Sequence, residues 1–292
     1  MKNMNKLVKT QDVTYEYVRR DDDGNVENIV TAVDDVSISI EDGQMVAIIG
    51  HNGSGKSTLA KHLNALLTPT EGTVWVDGID TSDESRVWDI RQKAGMVLQN
   101  PDNQIVGQVV EEDVGFGCEN LGIKTEEIWE RVVDALKSVD MYEYRGHSPN
   151  KLSGGQKQRV SIAGIIAMKP KCIILDEPTA MLDPKGRKEV IDAITRLNKE
   201  ENVTIILITH NMEEIIGVDR IFVMDKGKLV MEGTPREVFS EVDKLTELGL
   251  TVPEATLIGK KLYDSGLPIS LPVLTKEELV SEIGRARLSK FR

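Results

Sequence analysis

Short continuous apolar runs separated by longer polar stretches set the rhythm of the chain. Met45 to Gly50 (MVAIIG), Cys172 to Leu175 (CIIL) and Val203 to Ile208 (VTIILI) predict strands buried on both faces of a parallel sheet, with room for helices between them. Lys93 to Leu98 predicts a further strand. Ahead of these, Gln11 to Val18 and Thr31 to Ile40 alternate in a way that predicts antiparallel strands, joined by the acidic loop Asp21 to Asn28 with its turn at Gly24. After them, Arg220 to Met224 and Lys228 to Met231 flank Asp225-Lys226-Gly227, a hairpin signal. Leu121 to Tyr144, with spaced apolar residues among Glu and Lys, predicts helix within an inserted helical subdomain. Past Pro235 the pattern loosens. Pro253, Pro268 and Pro272 break it, and Lys276 to Ile283 predicts a short amphipathic helix with Thr275 as N-cap.

The expected fold class is therefore α/β, with a parallel core sheet, an N-terminal antiparallel β subdomain and a helical subdomain over about 100–165, all within residues 1–240. Residues 241–292 are expected to form a small appendage. A length of 292 residues with 40% apolar content suits that organisation. The 48 acidic against 36 basic residues, a net charge of −12, argue against a nucleic-acid partner. Cys118 and Cys172 fit neither a metal-ligand spacing nor a disulfide framework, which suits a reducing compartment. Met1 to Thr10 holds no apolar core of signal-peptide length, and no run approaches the roughly 18 apolar residues of a spanning helix. Any membrane role is expected to come through a partner.

The chemistry begins where the first apolar run ends. Gly50-His51-Asn52-Gly53-Ser54-Gly55-Lys56-Ser57-Thr58 has the phosphate-loop pattern of a P-loop NTPase, with a strand before it and a helix starting near Lys56. Its glycines allow backbone N–H groups to wrap the phosphates, and the following helix presents its positive end. Lys56 is expected to neutralise phosphate charge and Ser57 to ligate Mg²⁺. The strand ending in Asp176-Glu177 supplies the carboxylate that such a site needs for Mg²⁺, Asp176, and next to it a candidate to polarise the attacking water, Glu177.

Together with Leu152-Ser153-Gly154-Gly155-Gln156, about a hundred residues downstream, this set resembles the nucleotide-binding subunit of an ATP-binding cassette transporter. The resemblance implies that Ser153, Gly154, Gly155 and Gln156 belong to the family signature, whose serine and glycine amides meet the γ-phosphate held by an opposite subunit. Two ATP molecules are then sandwiched between two chains. Gln99 matches the glutamine that senses Mg²⁺ and the attacking water, and His210 the switch histidine on the γ-phosphate. Met181-Leu182-Asp183 fills the place of the loop that crosses the dimer interface, with Met181 where alanine is common. Tyr17 is the candidate to stack on adenine, Tyr15 is its alternative, and either could instead be core. His51 is expected to act at most through its backbone amide, and His62 and His147 carry no comparable argument.

Gln99-Asn100-Pro101-Asp102-Asn103-Gln104, then Val110 to Gly117 (VEEDVGFG), resembles the ATPases of energy-coupling factor transporters, closest to the first of their two ATPase types. The resemblance implies a second ATPase, identical or homologous, a shared transmembrane coupling protein and small substrate-binding membrane proteins that import vitamins or, in related systems, cobalt or nickel. It also implies a peripheral position on the cytoplasmic face of the cell membrane and a C-terminal region, from near Leu248, that joins the two ATPases. Glu111 to Asp113 is open to two readings, a groove receiving a basic coupling helix or a solvated acidic turn. Soluble relatives in DNA repair would need a long coiled coil, and translation-factor ATPases two cassettes and a basic surface; the chain shows neither. A conventional binding-protein-dependent importer or a cobalt importer is the alternative within transport.

Overall fold

The computed structural model describes residues 6–289; the first five residues of the Met1 to Thr10 lead lie outside them. In chain order the strands begin with β1 (Lys6–Arg20), β2 (Val26–Val36), β3 (Ser39–Glu41) and β4 (Met45–Ile49), before α1 (Lys56–His62). Next come β5 (Glu71–Val76), β6 (Ile79–Asp80), α2 (Val87–Lys93) and β7 (Ala94–Val97), and then α3 (Val110–Asn120), α4 (Thr125–Ser138) and α5 (Gly154–Ala167). The core is completed by β8 (Cys172–Asp176), α6 (Pro184–Glu201), β9 (Thr204–Ile208), β10 (Arg220–Asp225) and β11 (Lys228–Gly233). Helices α7 (Pro235–Ser240), α8 (Val242–Glu247), α9 (Glu254–Asp264) and α10 (Lys276–Ser289) follow.

The core sheet has the order β11-β10-β4-β9-β8-β7, parallel except for the edge strand β11. Every residue of β4, β8 and β9 is buried, which is why these strands read as unbroken apolar runs. The β10–β11 hairpin closes through Lys226 and Gly227, both at positive φ (46° and 83°), as a two-residue turn matched to strand twist requires.

The N-terminal strands form a second, antiparallel sheet in the order β2-β1-β5-β6. β1 and β2 outrun the expected Gln11–Val18 and the start of Thr31–Ile40, so the loop shrinks to residues 21–25. At the loop end, Arg19–Arg20 and Val26–Val30 are solvent-exposed and are held by ladder hydrogen bonds and cross-strand pairs such as Arg19–Glu27, whereas at its start β1 buries Leu7, Val8 and Thr10. The expected second strand is also split after Val36. There the buried Thr10 hydroxyl donates to Val36 O and accepts from Ile38 N, so the break costs no backbone partner.

Helices α3, α4 and α5 pack together as the expected helical insertion. The single run predicted over Leu121 to Tyr144 is instead interrupted around Gly122, at φ 69°, before α4 starts at Thr125. α4 buries Ile128, Val132, Ala135 and Leu136, one stripe at helical spacing. Glu111 to Asp113 is not a solvated turn but the first turn of α3, where acids complement the helix dipole.

The C-terminal segment is more ordered than its loosening pattern predicts. Pro235 starts α7 rather than ending structure, behind a Thr234–Glu237 capping box. Val238, Phe239, Leu245 and Leu250 join the main core, whereas Ala255, Ile269, Val273, Leu279 and Ala286 form a small cluster of their own. Thr275 caps α10 by accepting from Glu278 N, and the helix runs to Ser289 rather than stopping near Ile283.

Candidate nucleotide-binding and hydrolytic site

Four core strands deliver the site from one sheet edge, their carboxyl ends, where open α/β sheets bind ligands. β4 runs into the phosphate loop, and α1 opens at Lys56 behind Gly55. Lys56 is nearly buried, at 5% exposure, and its Nζ donates to Gly50 O (2.9 Å) and His51 O (3.0 Å). Burial holds its pKa below the ordinary lysine value, against the opposing pull of Glu177 and Asp176. Ser57 donates to Asp176 Oδ1 at 2.9 Å. Burial raises the Asp176 pKa, with the Ser57 hydrogen bond working the other way.

Register explains why the remaining groups meet. Asp176 on β8 lies beside Ile208 on β9, and the ladder continues one step as Glu177 N donates to Ile208 O (2.9 Å), so His210 emerges next to Glu177. Val97 on β7 lies beside Leu175, which sets Gln99 on the other flank. Gln99 Nε2 donates to Glu177 Oε2 at 3.0 Å, and His210 Nδ1 stands 3.7 Å from the same oxygen. Glu177 adopts φ 48°, a left-handed conformation that a side chain pays for only where neighbours enforce it. A cleft of about 490 Å³ joins these parts, walled by Asn52, Gly53, Gly55, Lys56, Ser57, Thr58, Gln99 and Glu177, and by Tyr17, Val30 and Ala32 from β1 and β2.

The structure separates the two tyrosines. Tyr17 faces the cleft, 42% exposed, with its hydroxyl 3.4 Å from Thr58 Oγ1. Tyr15 is half-buried against the second core, edge-on to His62 at 4.8 Å and to Tyr17 at 4.9 Å. His51 does more than lend an amide: its ring bridges Asn52 O and Asp225 Oδ1, both at 2.7 Å, tying the phosphate loop to the end of β10. In the sequence Asp225 stands out only as part of the hairpin turn. Glu214, also passed over in the sequence, binds the loops that carry Glu177 and His210; its spacing four residues after His210 was the available signal.

The signature segment stands apart, since none of residues 152–157 lines the cleft. Ser153 caps α5 in a complete capping box: its Oγ accepts from Gln156 N, and its own N–H donates to Gln156 Oε1 (2.9 Å). Gly154 and Gly155 then occupy the first helical positions, whose N–H groups have no intrahelical acceptor. Asp183 caps α6 through Gly186 N, so within one chain its carboxylate is occupied. The start of α5 leans on this loop, with Gly155 facing Gly186 and Gly154 facing Leu182. Lys157 pairs with Asp102, and Gln158 donates to Leu98 O, fastening α5 to the loop that carries Gln99. Of the acidic trio on α3, Asp113 accepts from Val106 N and Gly107 N at 2.8 Å each, which leaves Glu111 and Glu112 as the outward members.

A phosphate loop with its acidic strand, glutamine and histidine on one edge, and a capped signature helix facing elsewhere, define an ATP-binding cassette ATPase. The ABC transporter family pattern matches residues 33–180. The energy-coupling factor transporter ATP-binding protein EcfA1 of Clostridioides difficile (strain 630) is 57% identical over 280 residues, covering 96% of this chain and 99% of that protein. Among solved structures, cbiO1 of Clostridium perfringens, part of the ABC transporter complex cbiONQ, superposes with a TM-score of 0.72 at 35% identity, over 84% of this chain and 95% of its own. A dimeric ATP-binding cassette in a post-hydrolysis state, bound to ADP and Pi, gives 0.70 at 33% identity, over 78% and 98%. The chain belongs to the ABC transporter family, among the energy-coupling factor transporter ATP-binding proteins.

Proposed function

We propose that the chain is the ATP-binding and ATP-hydrolysing subunit of an energy-coupling factor importer, powering uptake of vitamins or other micronutrients through a shared transmembrane protein. The observation that carries the paired-cassette part of this reading is the capped start of α5. The N–H groups of Gly154 and Gly155 are free of intrahelical acceptors, yet the chain's own cleft includes neither residue. A helix N-terminus so arranged suits a phosphate held by a second cassette, identical or homologous. Ser153 then contributes its hydroxyl proton, because its amide is engaged by Gln156.

In this reading Lys56 exchanges its bonds to Gly50 O and His51 O for phosphate oxygens, and Tyr17 stacks on the base. Ser57 and Asp176, two hard oxygen donors already 2.9 Å apart, fit Mg²⁺, with Gln99 nearby. When bound, Mg²⁺ supplies charge neutralisation at the phosphates. Glu177 accepts a proton from the attacking water, Gln99 and His210 hold its carboxylate in line, and His210 reaches the γ-phosphate from the flank. Because the γ-phosphate contacts both cassettes only before hydrolysis, its loss reopens the pair and biases the membrane partner. Asp183 sits at the pair's interface, beside the start of α5.

No helix among the described residues is long and apolar enough to cross a membrane. As the ATPase of an energy-coupling factor importer the chain sits on the cytoplasmic face of the membrane through its transmembrane partner, with Glu111 and Glu112 beside exposed Phe116 and Trp129 as an edge for a basic helix. Residues 241–292 act as the unit that joins the two ATPases. The likeness to cbiO1 supports a cobalt-type importer as the second reading. Affinity purification of the tagged chain from detergent-solubilised native membranes, with subunits identified by mass spectrometry, tests the choice. A second cassette ATPase, one shared transmembrane protein and several small membrane proteins are the expected recovery. A single dedicated permease would favour the second reading.

A further inference from the structure

We infer that Glu214 is a positioning residue for hydrolysis, a carboxylate clamp that holds the Glu177 loop and the His210 loop at a fixed separation. The inference rests on the reading of Glu177 and His210 as the hydrolytic pair. Glu214 lies in the single 3-10 turn Met212–Ile215 that follows β9. Its Oε1 accepts from the Thr179 hydroxyl at 2.8 Å and from Asn211 Nδ2 at 3.0 Å, and its Oε2 accepts from the Thr209 hydroxyl at 2.8 Å. Thr179 is two residues after Glu177, whereas Thr209 and Asn211 flank His210 on either side. One side chain thus ties together both loops of the reaction.

The ties matter because the His210 side chain is not held by contacts of its own and Glu177, though its carboxylate accepts from Gln99, has a strained backbone. The His210 side chain is 60% exposed and meets Glu177 only at 3.7 Å. Glu177 occupies a left-handed backbone conformation, which persists only where surrounding structure over-determines it. Thr179 and Thr209 are both buried, so the clamp anchors to parts of the chain that cannot drift. The Thr209 hydroxyl also accepts from Asn211 N, so the network closes around the backbone of His210. A carboxylate suits this role better than a neutral group, since it accepts at both oxygens and needs no proton of its own. The bland alternative is that Glu214 merely satisfies two buried hydroxyls. It predicts lost stability but no particular link to His210.

The test uses the full chain purified with its accompanying membrane subunits, and compares Glu214→Ala, Glu214→Gln, His210→Ala, Glu177→Gln and the Glu214→Ala/His210→Ala double variant. Misplacement by about 1 Å costs on the order of 10²-fold in rate, so Glu214→Ala should lower kcat about 10- to 100-fold with the ATP Kd nearly unchanged. Glu214→Gln, which keeps one acceptor for Thr179 and Asn211, should recover most of that loss. In the His210→Ala background Glu214→Ala should cost clearly less than in the wild type, because one of the two groups being positioned is gone. Unchanged turnover in Glu214→Ala, an equal fall in both backgrounds, or loss of ATP binding parallel to the loss of kcat overturns the clamp. If His210→Ala and Glu177→Gln themselves hydrolyse normally, the reading of the site fails and takes the clamp with it. If they are inactive while Glu214→Ala is not, the clamp alone fails.

Discussion

Gly55 and Gly53 sit two residues apart in the phosphate loop and make a matched pair for alanine substitution. Both have left-handed backbones, φ 99° and 82°, so either alanine incurs the steric cost of that region, about 1–2 kcal/mol. The surroundings differ. A Cβ on Gly53 meets nothing within 4 Å, whereas one on Gly55 falls 2.2 Å from Ala32 O, a backbone atom of β2. Restoring ordinary contact at 3.4 Å requires β2 or the loop to yield by roughly 1 Å. Overpacking of that kind costs about 1–3 kcal/mol beyond the conformational term. Urea unfolding without nucleotide should therefore show Gly53→Ala destabilised by about 1–2 kcal/mol and Gly55→Ala by roughly 1–3 kcal/mol more. Ala32 and Val30 also wall the cleft, so Gly55→Ala should weaken ATP binding even where the protein remains folded. Equal unfolding free energies for the two variants would refute the close approach of β2 to the loop.

Other expected outcomes are more direct. Glu177→Gln should keep ATP affinity, lose about 10²- to 10⁴-fold in turnover and accumulate a closed dimer on size-exclusion chromatography; normal turnover removes Glu177 from the reaction. Tyr17→Ala should weaken ATP binding by about 1–3 kcal/mol, the range for a base on an aromatic ring, with little change in unfolding, whereas Tyr15→Ala should act chiefly on stability; the reverse pattern in calorimetric titration and melting reassigns the base platform. Asp176 has a folded pKa raised above its ordinary 3.8, so the stability it contributes when protonated is complete below 3.8 and is lost as pH rises through the folded pKa. In chelator, Asp176→Asn should thus exceed the wild type in urea midpoint at neutral pH, with the gap closing as pH falls toward that value; a gap independent of pH rules out a burial cost. Glu111→Gln with Glu112→Gln should weaken co-purification of the transmembrane partner without lowering ATP affinity, and unaltered recovery of that partner would count against the groove.

What the sequence made legible was the part in which neighbours along the chain do the work. Strands β4, β8 and β9 announce themselves because burial on both faces fills them with apolar residues, the only polar positions being Thr204 at the start of β9 and Asp176 at the end of β8. The phosphate loop is local in the same sense, since strand, glycines, Lys56 and Ser57 are contiguous. Gln99 and His210 were placed by resemblance, and strand register accounts for their meeting at Glu177. The misses share the opposite property. The loop-side ends of β1 and β2 are paired but exposed, so no periodicity marks them. The His51–Asp225 contact spans 174 positions, and the Thr179–Glu214 contact spans 35, so neither leaves a local pattern. Pro235 misled because a proline at a first helical position and one that ends a helix look alike until the Thr234 cap is seen.

The electrostatics of the site explain why its ligands belong together. Burial disfavours the charged form of Lys56 and, separately, the charged form of Asp176. Each charge favours the other's ionisation, yet desolvation is the leading influence on both. A polyanion alone would stabilise charged Lys56 and further disfavour charged Asp176; a divalent cation alone would do the converse. Only the two together relieve both groups, so nucleotide and cation should each raise the other's affinity, by reciprocal coupling. The same logic assigns the second cassette its part. On the proposed reading, with Lys56 and the cation at one side of the γ-phosphate, the amides of Gly154 and Gly155 from a partner cassette would bring positive potential to the other without a further buried charge. They would then add closure energy that hydrolysis withdraws, which is the differential contact a transport cycle requires.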